Sequence, residues 1–201
     1  MKPGRAAARA AAPLAVAAFA AACAGLLAAC AAQPDHFYTL SAVPEAALAP
    51  RPAITTQVVL GISIPTVADR REMVLGGEGD RVAILEHERW AAPMSDLIAQ
   101  TLGLDIERRR PDMLVAGRTF ERSSSTVKVD IDIVRLSVRT AGNVALEAHW
   151  RIVDEQSKAD NVGAEVFTAP VDGDDYAAVA RGLSATLGSL ADRLVSKLPA
   201  R

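Results

Sequence analysis

The chain has 201 residues, half of them hydrophobic but only 4% aromatic, with 22 basic and 24 acidic side chains and a formal net charge of −2. A balance this close to neutral, on the acidic side, argues against a nucleic-acid partner, because polyanion binding needs a concentrated positive field. The two cysteines, Cys23 and Cys30, are too few for a disulfide framework or a cysteine metal site.

Lys2, Arg5 and Arg9 precede an uncharged, Ala-rich run from Ala10 to Ala29 that ends in small residues, the pattern of an export signal. The run approaches the ~20 residues needed to span a bilayer. Its alanines contribute little transfer energy, however, and Pro13 interrupts its start, so a signal peptide over 1–29 is expected rather than an uncleaved anchor. Leu27-Ala28-Ala29-Cys30 resembles a bacterial lipobox. That resemblance implies diacylglyceryl transfer to the Cys30 thiol, cleavage before it, and acylation of the new amino terminus. Each buried methylene contributes ~0.8 kcal/mol and one acyl chain holds only marginally, so three chains would hold the protein essentially permanently. Ala31 follows Cys30, where lipoproteins kept at the inner membrane usually carry Asp, and the expected location is the periplasmic face of the outer membrane. Removing residues 1–29 leaves 172 residues and 19 basic against 24 acidic side chains, a net charge of −5. That length suits one domain, expected over 37–201 behind a short tether of 30–36.

The predicted elements follow in order. Phe37 to Leu40 reads as a short strand, and Ser41 to Pro52, with three prolines, as an exposed connection. Ile54 to Ile64 is a strand rich in β-branched residues that stops at Pro65. The runs "EMVL" and "RVAILEHERW" around "GGEGD" predict a hairpin; the Gly-rich turn lacks the Lys-Ser/Thr and the following helix that a phosphate loop requires. A first helix over about Pro93-Leu104 presents Met94, Leu97, Ile98, Thr101 and Leu102 on one face. Arg108-Arg109-Arg110 just beyond suits the negative end of a helix dipole and is read as a solvated cap. "MLVAGRTF" is a further candidate strand.

The strongest alternation lies at Val127, Val129, Ile131 and Ile133, after which the apolar phase moves to Val134, Leu136 and Val138, so a bulge is expected there. Val144 to Ile152 and Val162 to Thr168 complete a three-stranded antiparallel meander. A final helix over about Asp174-Leu198 is capped by Asp174 or Asp175 and carries Tyr176, Val179, Leu183, Leu187, Leu190, Leu194 and Leu198 on its inner face. The fold class expected is α/β, a sandwich of a mixed, largely antiparallel sheet with these two main helices.

The lipobox, "FYTL", "VVLGISIP", "DRREMV", "RWAAPMSDLIAQTLG", "LEAHWRI" and the helix opening at "DYAAVA" together resemble the ABC-type transport auxiliary lipoprotein family, the PqiC/YmbA-like group. The resemblance covers nearly the whole mature chain. It implies a periplasmic, lipid-anchored α/β domain, working beside an ABC transporter and an MCE-domain protein that carries lipids across the envelope; a homo-oligomer, a ring of copies, belongs to the docking role weighed below. Trp90, Pro93 and Asp69-Arg70 match the family pattern with structural roles expected for each: a buried ring, a helix start, and a loop ion pair or turn. The one functional residue expected is Cys30.

Enzymatic chemistry is not expected. His36, His87 and His149 form no HExxH pair, Asp130 and Asp132 share a strand face with Lys128 that reads as solvated, and Ser123 to Ser125 form no GxSxG elbow. No cofactor or metal is implied. Two binding roles remain: an anchor that docks an MCE-domain protein, or a carrier that hides lipid in an apolar cavity of its own.

Overall fold

The computed structural model describes residues 33–43, 52–76, 81–117, 125–139, 142–173 and 175–199. The predicted signal peptide and Cys30 lie outside the described residues, as do Asp174, Ser123 and Ser124. The chain divides into a unit Met1–Pro34 and a compact unit Asp35–Arg201, and the latter holds every element below.

Eight strands and two helices are present among the described residues. The strands are β1 His36–Tyr38, β2 Thr56–Ser63, β3 Glu72–Gly76, β4 Val82–Trp90, β5 Met113–Ala116, β6 Thr126–Val138, β7 Asn143–Asp154 and β8 Asp160–Pro170. The helices are α1 Met94–Arg109 and α2 Tyr176–Val195. An α/β fold with mixed sheets and two helices is what the sequence led one to expect; its strands are shared between two sheets. One has the order β1-β4-β3, the other β5-β2-β6-β7-β8. Parallel pairings join β1 to β4 and β2 to both β5 and β6, while the longer ladders β6/β7 and β7/β8 are antiparallel.

The five-stranded sheet shows how side-chain period builds a core. Val127, Val129, Ile131 and Ile133 of β6 and Val144, Leu146, Ala148, Trp150 and Ile152 of β7 are all buried on one face. Their neighbours Lys128, Asp130, Asp132, His149 and Arg151 are exposed on the other, because successive strand residues point to opposite sides. The predicted bulge is present. Ile133 faces Ala148 and Arg135 faces Glu147, so Val134 has no partner and stands 43% exposed. This extra residue restores the inward phase for Val138.

Both helices cover the inner face, α1 over β2 and β5 and α2 over β7 and β8, and they pack on each other. The predicted stripes face inward: Met94, Leu97, Ile98, Thr101 and Leu102 on α1, and Val179, Leu183, Leu187, Leu190 and Leu194 on α2. Helix α1 runs five residues beyond Leu104, since Ile106 continues the stripe and is fully buried. Pro93 occupies its N-cap without a side-chain hydrogen bond, and Asp69 supplies the missing acceptor from the loop between β2 and β3, 3.1 Å from the Ser95 amide. Asp175 caps α2 by accepting the Ala178 N–H at 2.6 Å. Trp90, as expected, is a buried ring at 2% exposure. Trp150 packs obliquely on Phe167 with ring centres 6.4 Å apart. Opposite Trp150 in the next strand stands Gly163, where a Cβ would fall 2.3 Å from the indole Cζ2.

Candidate anchoring and docking site

Seven residues beyond Cys30 the chain is already part of a sheet, and the residues around β1 decide how firmly. His36, Phe37 and Tyr38 pair in parallel with Glu88, Arg89 and Trp90 of β4. Three residues of backbone pairing are few, and side chains supplement them. The Tyr38 hydroxyl donates to Glu88 Oε2 at 2.7 Å, and His36 Nδ1 lies 3.0 Å from Glu88 Oε1. Burial would raise the Glu88 carboxyl, but the bonds from Tyr38 and His36 outweigh it and hold the group below its ordinary range. Burial and the Glu88 bond together push the Tyr38 phenol up to about 12. Beside this pair, Asp35 Oδ1 lies 3.0 Å from His87 Nδ1 and its other oxygen 3.7 Å from Arg89, which also donates to Glu72 at 3.2 Å. The pairing of β4 with β1 brings Glu88 and its flanking His87 and Arg89 to the segment around His36; sequence reading placed His36 beside an expected tether and gave it no role.

Downstream of β1 the chain crosses both helices as a strap. The Ser41 amide donates to Ser184 Oγ of α2 at 3.1 Å, and the Val43 amide donates to Asp105 Oδ1 of α1. Arg108 donates to the Ala42 carbonyl at 2.6 Å, and Arg109 to the Val43 carbonyl, to Gly188 O at 3.1 Å and to Asp192 at 2.6 Å. Arg110 forms a two-pronged pair with Asp112 and reaches the carbonyl of Pro199. The arginine cluster is therefore no solvated cap. The side chains of Arg109 and Arg110 are only about one-seventh exposed (14% and 15%), and they bind backbone carbonyls from the strap, α2 and the C-terminal end. Burial raises the Asp105 carboxyl, against the lowering action of the Val43 amide and Arg109. Burial opposes the Arg109 charge, and the Asp192 and Asp105 carboxylates more than offset it, so its affinity for the proton rises.

Several concavities among the described residues offer binding surfaces, three of them as follows. The largest of these, about 490 Å³, lies on the outer side of the five-stranded sheet among Ser63, Asp130, Asp132, His149, Arg151 and Val162. Asp130 and Asp132 are exposed there, as the alternation predicted, and Asp132 accepts from the Ser63 hydroxyl. A groove of about 270 Å³ separates the two sheets between Val74, Val82, Trp90, Arg135 and Arg139. The third, about 360 Å³, adjoins β1 and is lined by Phe37, Thr39, Val43, Ala177, Ala180 and Arg181. Among the described residues no cluster of His, Cys, Asp and Glu is suited to a metal, and no helix is long and apolar enough to cross a membrane.

A family model described as the ABC-type transport auxiliary lipoprotein component matches residues 38–195, from the last residue of β1 to the end of α2. The chain belongs to this family. The role carried by the family is that of an auxiliary component of ABC-type transport, and its description as a lipoprotein accords with a membrane-anchored protein. No curated protein matches the chain. Among solved structures, an uncharacterized protein is similar at a TM-score of 0.66 and 14% identity, over 83% of this chain and 100% of its own. Protein XCC0632 from Xanthomonas campestris is similar at 0.55 and 17%, over 80% and 92%. A PelC dodecamer from Paraburkholderia phytofirmans aligns at 0.38 and 14%, over 76% and 96%. At such identities the first two likenesses show a shared fold alone.

Proposed function

We propose that the protein is a periplasmic lipoprotein, held by acylated Cys30 to the inner leaflet of the outer membrane, that docks an MCE-domain protein of an ABC-type lipid transport system. In this reading residues 1–29 are the signal peptide, 30–36 the tether and 37–201 the docking domain, working through binding rather than catalysis and assembling as a homo-oligomer. The observation that carries it is the family match beginning at Tyr38, only eight residues past a Leu-Ala-Ala-Cys sequence. The firm seating of β1 supports it mechanically, because a tether that ends in a fixed strand transmits position from the membrane to the domain. The carrier alternative has less support: the concavity of about 490 Å³ on the outer side of the five-stranded sheet is an open dish with exposed Asp130, Asp132 and Arg151 around it, whereas hiding acyl chains needs an enclosed cavity.

The test is a pull-down from envelopes crosslinked in living cells, with tagged full-length protein and a Cys30→Ala control, read by mass spectrometry. Recovery of an MCE-domain protein with triacylated Cys30, lost in the control, is the expected result. Unmodified Cys30 and no envelope partner would refute the proposal, and stoichiometric lipid inside the purified protein would favour the carrier.

A further inference from the structure

We propose that the face formed by Phe37, Thr39, Val43, Ala177 and Arg181 rests against the bilayer surface that holds the lipid anchor, with the Phe37 ring at headgroup level. The inference rests on the reading of Cys30 as the acylated residue, and deepens it by assigning the membrane-facing side of the domain.

The length of the tether carries the argument. Seven residue steps separate Cys30 from Phe37, a span of at most about 25 Å even when fully extended. A compact domain of this size measures roughly 40 Å across, from the scaling of its radius of gyration. The tether is thus shorter than the domain it holds, and the surface around β1 stays nearest the bilayer. Nor can β1 peel away to lengthen the leash: its ladder to β4, the Tyr38–Glu88 and His36–Glu88 contacts and the strap bonds at Ser41 and Val43 fix it to the folded body.

The chemistry of this face fits a lipid surface. Phe37 is 61% exposed, the only aromatic side chain among the described residues classed as exposed rather than buried or half-buried. Tyr38, the next residue, turns its hydroxyl to Glu88, so strand alternation holds the Phe37 ring outward. Across the 360 Å³ concavity stands Arg181, whose side chain is 65% exposed and whose one described ion pair is a loose 3.6 Å contact with the equally exposed Asp175. An exposed ring beside a long cation with an apolar stem suits a membrane interface, the ring at headgroup level and the guanidinium among phosphates. Half-exposed Ala177 and exposed Thr39 and Val43 between them present no large polar group that would resist close approach.

The experiment uses full-length protein, processed in cells and reconstituted into vesicles of phosphatidylethanolamine and phosphatidylglycerol. Cys23 leaves with the signal and acylation blocks Cys30, so Ala177→Cys or Val162→Cys supplies the one thiol for a fluorescent label. Val162, 73% exposed on the side of the sheet away from the helices, is the control. The expected result is quenching by headgroup-proximal doxyl lipid several-fold stronger at position 177 than at 162, reduced towards the control level by Phe37→Ser. Equal quenching at both positions in floated, triacylated protein would overturn the seat alone. A label found on Cys30, with no flotation, would overturn the anchor and the seat together.

Discussion

Gly163 is the most exacting contact in the sheet, and replacing it with alanine tests how the meander packs. In an ordinary strand the change would be mildly favourable, since alanine restricts the unfolded chain by about 0.4–1 kcal/mol. Here the new methyl would stand 2.3 Å from Trp150 Cζ2, 2.5 Å from Cε2 and 2.8 Å from Nε1, all well inside contact distance. The indole is 6% exposed and packs on Phe167, so moving away from a new methyl would disturb buried contacts. Overpacking of this kind costs about 1–3 kcal/mol, which exceeds the entropic gain, and each kcal/mol lowers Tm by about 2–4 °C at this chain length. Urea unfolding of purified protein followed by far-UV circular dichroism is expected to show a lower midpoint at unchanged slope. A double-mutant cycle isolates the cause: in a Trp150→Phe background, which lacks the Nε1 and Cζ2 atoms, Gly163→Ala is expected to lose most of its cost. If Gly163→Ala is as stable as the parent, or costs the same in both backgrounds, the close approach of Gly163 to Trp150 does not govern the stability of this sheet.

Two further perturbations address β1 and the strap that follows it. Arg109→Ala leaves fully buried Asp105 without its cation and frees the Val43 and Gly188 carbonyls; breaking such a pair costs about 3–5 kcal/mol, with the exposed Asp192 contributing little. Faster hydrogen exchange at the Val43 amide is the accompanying signature, which Arg109→Lys rescues only in part because ammonium lacks the planar fork; a loss below about 1 kcal/mol would mean that the strap is held elsewhere. The Tyr38 phenol, raised from 10.0 to about 12, favours folding in its protonated form, so its contribution is complete below pH 10 and disappears as pH rises through about 12. Ultraviolet titration is expected to show a late-ionising phenol that vanishes in Tyr38→Phe and shifts down, though not fully, in Glu88→Gln, because burial remains; no shift in Glu88→Gln would dismiss the hydrogen bond as a cause.

Composition and local period made much of this protein legible before any fold was in view. The Leu-Ala-Ala-Cys sequence, the alternation of β6 with its slip at Val134, the hairpin of β3 and β4 and the inward stripe of α2 are each written within a few consecutive residues, since strand and helix periods are local properties of the chain. The end of α1 was less legible: Gly103 and the arginine run resemble a terminus, and the burial of Ile106 against other elements carries the helix onward.

What only the tertiary structure decided are the partnerships between distant segments. Periodicity tells a strand which face to bury and is silent on which strand lies beside it, so the division into two sheets and the parallel placement of β1 on β4 were hidden. Arg109 illustrates the same limit, for a helix-end arginine looks alike in sequence whether it meets water or, as here, carbonyls from the segments around Val43 and Gly188. The sequence by itself determined that an apolar core would form after the Leu-Ala-Ala-Cys sequence, because burial follows from residue type and spacing. The tertiary structure decided that His36, Tyr38 and Val43 are the points at which the segment around β1 is fixed, because those bonds depend on groups 50 or more residues away meeting at hydrogen-bond distance.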